Sequence, residues 1–176
     1  MSKFEKVSYK QFANAMFEYL GGDPDYSRES IKEMIKEIYA NIKLPKRATK
    51  HSAGYDFFAP FSFSLPHGKN IKIPTGIKAQ IDDGYVLMEY IRSSIGFKYG
   101  VSLVNSTGII DGDYYNNESN EGQIFIKLSN NDGTIKRGLS INRGEAFCQG
   151  IFLPYGITID DDTDGVRKGG IGSTNI

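Results

Sequence analysis

From Asn105 to Tyr114 the chain reads NSTGIIDGDY, which sets two carboxylates and a phenol, Asp111, Asp113 and Tyr114, within four positions. Asp111 directly follows Ile109 and Ile110. A carboxylate held against apolar neighbours needs partners, and beside a reactive centre it can work as a general base. The stretch reads as one wall of a nucleotide pocket, with both Ile buried and Asp111 poorly hydrated.

Four other segments carry residue types that could join it. AGYDFFA (53–59) sets Asp56 in an apolar strand, either as a satisfied buried carboxylate or as part of a site. IRSSIGFK (91–98) offers Arg92, the hydroxyls of Ser93 and Ser94, and successive backbone amides. Forked guanidinium and clustered N–H groups suit phosphate oxygens, although an ordinary polar turn has the same composition. RGEAFCQGIF (143–152) buries Gln149 among apolar residues, where its amide bonds either backbone or a ligand. GVRKGGIGSTN (165–175) combines Arg167 and Lys168 with glycines and a Ser-Thr pair. Its backbone is either a loose tail or a close wrap for an anion.

The elements that must hold these groups fall into two kinds. In residues 1–43, Ser8 is placed to cap a helix carrying Phe12, Met16, Tyr19 and Leu20, which Gly21 and Gly22 stop. A second helix has a capping-box spacing at Ser30 and Glu33. Its apolar stripe is Ile31, Met34, Ile35, Ile38, Tyr39 and Ile42, and Pro45 ends it. These helices pack on the following domain or a neighbouring subunit, or they bind a partner. From Leu44 the period changes to short runs rich in β-branched and aromatic residues: FSFSL, KNIKIP, YVLMEYI, VSLV, QIFIKL and EAFCQGIFL. Turn signals separate them and no helical run interrupts them, so residues 44–159 are expected to form an all-β sandwich or barrel. Residues 160–176, acidic and then Gly-rich, hold too little apolar surface to pack alone; they are either disordered or held by something else.

Whole-chain composition narrows the options. With 176 residues and 21 basic against 21 acidic side chains, the chain fits one domain with an appendage and has no electrostatic footprint for nucleic acid or a membrane surface. No apolar run nears the roughly 20 residues that span a bilayer, and the first residues lack a signal-peptide pattern, so a cytoplasmic protein is expected. The single cysteine, Cys148, excludes an internal disulfide and any Cys-based zinc site. His51 and His67 lie outside the five segments and read as surface residues.

Singly the five segments are weak signals, but in this order and spacing the chain resembles the homotrimeric dUTPase family, over roughly residues 43 to 176. GIIDGDY and GGIGST are its most specific parts. NNESNEGQ (116–123) and the helical N-terminal extension resemble a Gram-positive bacterial and phage subgroup. The resemblance implies a distorted jelly-roll (β-clip) fold and a trimer with shared active sites, each closed by one chain's Gly-rich arm. The implied reaction is hydrolysis of dUTP to dUMP and pyrophosphate, with Mg²⁺ on the triphosphate. It implies that Asp111 orients and deprotonates the water, that Tyr114 lies under the deoxyribose, and that Asn105 reads the uracil edge. Arg92, Ser93 and Ser94 would hold the phosphate chain, Gln149 would reach a phosphate from a neighbouring subunit, and the metal would meet Asp56 through water. Arg167, Ser173 and Thr174 would grip the γ-phosphate. Gly108, Ile110, Lys98, Gly170 and Gly172 stand at further substrate-contacting positions.

The chain departs from the family pattern in three places. Ile171 stands where a Phe usually stacks on uracil, Ile91 replaces the usual Pro before Arg92, and RGEAFCQ replaces the commoner GDRIAQ. Two alternatives accompany the main expectation. A dCTP deaminase shares the fold and needs a proton-carrying Glu, for which Glu118 and Glu121 are available. A protein of this fold could also bind a regulatory protein, alongside its activity, through the N-terminal helices and residues 116–122.

Overall fold

A computed structural model of the chain describes residues 1–21, 29–165, 167, 169 and 170. It opens with a strand absent from the sequence reading, β1 (Lys3–Lys6), followed by helix α1 (Tyr9–Tyr19). The Ser8 hydroxyl caps α1 by accepting from the Gln11 amide at 3.1 Å, and Phe12, Ala13, Ala15 and Met16 turn inward. Gly21, at φ 88°, follows the helix C-terminus, where an L side chain would be strained. Helix α2 (Glu29–Ala40) buries Ile35 and Ile38. It differs from expectation in two ways. Ser30 lies inside the helix instead of capping it, and Met34 is exposed, because the buried face is narrower than the apolar stripe. The Tyr39 hydroxyl donates to the Val7 carbonyl at 2.7 Å and ties α2 to the start of α1.

The remaining strands are β2 (Lys46–Arg47), β3 (Tyr55–Phe58), β4 (Phe63–Leu65), β5 (Asn70–Pro74), β6 (Ile77–Gln80), β7 (Tyr85–Ile91), β8 (Ser102–Leu103), β9 (Gly108–Ile110), β10 (Phe125–Ser129), β11 (Leu139–Ile141) and β12 (Ala146–Pro154). They form a distorted jelly roll. A five-stranded sheet ordered β2-β3-β12-β7-β9 faces a three-stranded sheet β5-β10-β8, completed by the pairs β11-β4 and β1-β6. All pairings are antiparallel. Alternation holds where the sequence showed it. Phe63 and Leu65 point inward while Ser64 is exposed, and Ile126 and Leu128 are buried on either side of the exposed Lys127; Gln123, at the start of QIFIKL, departs from the pattern and is fully buried.

One core serves both parts. Phe12, Met16, Ile35 and Ile38 of the helices pack in the same cluster as Ile73, Ile77, Phe57 and Phe147 of the strands, and β1 pairs with β6. A third helix, α3 (Ser93–Tyr99), interrupts the strand series where none was expected. At seven residues it is too short to show a helical period, and Gly100 ends it in the left-handed region at φ 64°. Cys148 is fully buried, and His51 and His67 are exposed.

Candidate active site

The stretch 105–114 folds as a turn, the short strand β9, and a single 3-10 turn (Gly112–Tyr114). Tyr114 is buried and fixed at its hydroxyl, which donates to the Gln123 carbonyl at 2.8 Å and accepts from the Asn120 amide at 2.9 Å. Burial pushes its phenol above the usual tyrosine range. The expected dry setting for Asp111 is not found. Its side chain is 50% exposed and Ile109 is 62% exposed. The reason is position: at β9, the outer strand of the five-stranded sheet, Ile109 and Asp111 alternate with Ile110 and fall on the outward side. Asp111 has a partner nonetheless. Arg167 donates from Nη2 to Asp111 and from Nε to Asp113, both at 2.8 Å.

The buried carboxylate of this region is Glu89, which the motif reading passed over. It is 3% exposed, on β7, directly across from Gly108 of β9. Burial pushes its carboxyl up to about 8. A signal for it was present: in YVLMEYI, strand period puts Glu89 on the same side as Leu87, which is fully buried. Glu89, Asn105, Gly108, Ile110, Asp111 and Tyr114, with Ile109, Phe125 and Arg167, line one cavity of about 200 Å³.

The phosphate-type residues gather elsewhere. Arg92, Ser94 and Lys98 line a second cavity of about 370 Å³ with Tyr99, Glu145 and Ala146. Arg92 donates to the Ala146 carbonyl at 3.1 Å and pairs with Asp56 at 3.1 Å. Ser93, the first residue of α3, is exposed and lies beside this group. Gln149 is half-buried, not enclosed as its neighbours suggested; on β12 it pairs with Asp56 on one side and Tyr90 on the other. Its amide reaches the Ile91 carbonyl at 3.5 Å. A side chain at Gly54 would meet its Oε1 at 2.5 Å, so the Gln149 amide packs directly over that glycine. Thus one chain brings together Asn105, Gly108, Ile110, Asp111, Tyr114 and Arg167, and separately Asp56, Arg92, Ser93, Ser94, Lys98 and Gln149.

Of the arm, Ile171, Gly172, Ser173 and Thr174 lie outside the described residues. Gly170 packs so closely on the 116–122 turn that a Cβ there would come within 2.8 Å of Ser119 Oγ and 2.9 Å of Asn120 Nδ2. Among the described residues no group of three or more His, Cys, Asp or Glu side chains is placed to hold a metal ion. Asp56, half-buried beside Arg92, is a hard oxygen donor that fits Mg²⁺ reached through water. Mg²⁺ keeps several waters and is commonly held by one or two carboxylates plus substrate phosphates.

Residues 40–174 match the family model for dUTPase. The chain is 44% identical over 137 residues to the deoxyuridine 5′-triphosphate nucleotidohydrolase of Lactococcus lactis subsp. lactis, covering 77% of this chain and 89% of that protein. A crystal structure of dUTPase from Streptococcus mutans superposes with a TM-score of 0.59 at 42% identity, covering 65% of this chain and 88% of that one. A dUTPase of Staphylococcus bacteriophage 80alpha shares the fold at a TM-score of 0.57 and 22% identity, over 72% and 92% of the two chains. With a family match across most of its length and a relative at this identity, the chain belongs to the dUTPase family.

Proposed function

We propose that this protein hydrolyses dUTP to dUMP and pyrophosphate by attack of water on the α-phosphate. The observation that carries the reading is the cavity that joins Asn105, Gly108, Tyr114 and Asp111 along one short stretch of backbone. Asn105 and the β9 backbone offer hydrogen bonds to a base edge, and the fixed Tyr114 ring offers a face to a sugar with little spare room. Asp111 at the mouth is solvent-accessible, as a base that must take a proton from water requires. Arg92, Ser93, Ser94, Lys98 and Gln149 are the groups for the phosphate chain. Phosphoryl transfer asks mainly for such positioning and charge neutralisation. When bound, Mg²⁺ supplies part of that neutralisation, and Asp56 is the side chain suited to its water shell. Arg167, with Gly170 and the residues after it, serves the terminal phosphate.

Arg167 apart, base-type and phosphate-type residues line different cavities of one chain. A trimer in which neighbouring chains complete each site supports all these assignments at once. The deaminase alternative loses its candidates, since Glu121 accepts two hydrogen bonds from Ser8 and neither it nor Glu118 lines the nucleoside cavity. A regulatory partner remains a second reading for the surface where Ser8, at the head of α1, meets the 116–122 turn. The phage 80alpha relative is one of a group of phage dUTPases described as controlling transfer of virulence genes.

The direct test is pyrophosphate release by purified protein with Mg²⁺, which should be rapid with dUTP and negligible with UTP and dTTP. Asp111→Asn should still bind a non-hydrolysable dUTP analogue while turning over about 10²- to 10⁴-fold more slowly. Equal rates for the two proteins would remove Asp111 from its role.

A further inference from the structure

Glu89 has no counterpart in the roles assigned above, and its setting is built for it. It faces a glycine on both neighbouring strands, Gly108 of β9 and Gly150 of β12. A side chain at Gly108 would meet Glu89 Oε2 at 2.7 Å, so the carboxyl fills the space that the missing side chain leaves. Its Oε1 is removed from solvent and has no hydrogen-bond partner among the described residues, although Glu89 lines the nucleoside cavity. A buried polar atom without a partner needs an explanation, and here the adjoining space is the one meant for a base.

We propose that Glu89 is a specificity-determining residue whose carboxyl group hydrogen-bonds the 4-oxo group of the pyrimidine. The proposal rests on the dUTPase reading of the cavity and adds a side chain to it. The geometry supports this edge of the ring. Glu89 is among the most deeply buried groups lining the cavity, and the 4-oxo group lies across the ring from the bond to the sugar, which Tyr114 holds. A neutral carboxyl donates its O–H to a carbonyl; once ionised it is acceptor-only and faces the carbonyl with like polarity. Cytosine presents an amino group at the same position, so ionised Glu89 would favour the wrong base.

Burial keeps Glu89 neutral up to about pH 8. The other groups facing it are the Cys148 thiol from β12 and the Tyr114 phenol, both pushed up by burial, with the Asp111–Arg167 pair at the mouth.

The test is calorimetric binding of dUMP and dCMP between pH 6.5 and 9 to the intact protein and to Glu89→Gln and Glu89→Leu. For the intact protein, dUMP affinity should fall about tenfold per pH unit above the ionisation, while dCMP binding holds or tightens. Glu89→Gln should bind dUMP severalfold more weakly at pH 6.5, and Glu89→Leu tenfold or more. Both variants should lose the pH slope beyond that due to the N3 proton of dUMP, which is common to all three. A flat dUMP profile for the intact protein, or a slope that persists in Glu89→Gln, overturns the proposal. If neither variant folds, the intact protein's two profiles decide it. Absence of both dUTP hydrolysis and dUMP binding would instead sink the dUTPase reading. Hydrolysis with a flat profile would sink only the role of Glu89.

Discussion

At the residue scale, the carboxylates of this site divide by hydration, and the division is the reverse of what their neighbours in sequence suggest. Asp111, after two isoleucines, stands half in water; Glu89, in an amphiphilic-looking strand, is sealed. The sealed group has a thermodynamic signature. Its carboxyl is raised from 4.5 to about 8. Below about pH 4.5 it is neutral in folded and unfolded protein alike. Between there and pH 8 the unfolded chain gives up the proton while the folded protein keeps it, so stability falls as pH rises. The loss is about 1.4 kcal/mol per pH unit and levels off above pH 8. Glu89→Gln removes this dependence. Its thermal stability relative to the parent should therefore climb from pH 5 to pH 8 and then stay level. A difference that is constant with pH would show that Glu89 is charged in the native state. Asp111 stood out in the sequence, whereas Glu89 did not. The hydration of neither was legible there, because it depends on β9 being an outer strand and on which face of β7 looks inward.

Elements are joined here by contacts that local sequence cannot show. The Ser8 amide and hydroxyl donate to the two oxygens of Glu121 at 2.8 and 2.6 Å, across 113 residues. Glu121 thus supplies from a distant turn what a capping-box glutamate supplies from within its own helix. The same turn is held by Asn117 and Asn120, and Asn120 donates to the Tyr114 hydroxyl. Gly122 has no room for a side chain, which would lie 2.5 Å from the Tyr114 carbonyl. The head of α1, the turn and the nucleoside cavity therefore form one connected structure. Glu121→Ala should lower stability by about 1 kcal/mol, the usual worth of a helix cap, with a rise in KM for dUTP larger than any fall in kcat. Urea unfolding and steady-state kinetics measure both. A stability loss with KM unchanged would confine Glu121 to the helix. The helix and its Ser8 cap were legible from spacing alone, and 116–122 stood out as an insertion. That the two meet was not legible, since nothing local in either segment refers to the other. For the same reason β1, β2, β6, β9 and β11 went unread: each is four residues or fewer and owes its state to a partner strand.

At the scale of the whole molecule, the separation of the two cavities is the governing fact. A water activated at Asp111 can reach a phosphate held by Arg92 only if those groups meet, and in one chain they line different spaces. Phe97, Ile109, Ile157 and Ile159 are large apolar side chains left exposed in the single chain. Family resemblance pointed to shared sites, whereas the sequence alone had no means of showing which motifs a single chain keeps apart. Sedimentation should give three times the 19.6 kDa of the chain. A mixing experiment is sharper. Asp111→Asn and Arg92→Ala should each be nearly inactive alone. In a cyclic trimer, a site that takes Asp111 from one chain and Arg92 from the next is restored wherever an Arg92→Ala chain is followed by an Asp111→Asn chain. Random reassembly of equal amounts makes three trimers in four mixed, and each holds one intact site of three, so about a quarter of parental activity should return. If both groups came from the same chain, no arrangement would restore a site and the mixture would stay as inactive as its parts.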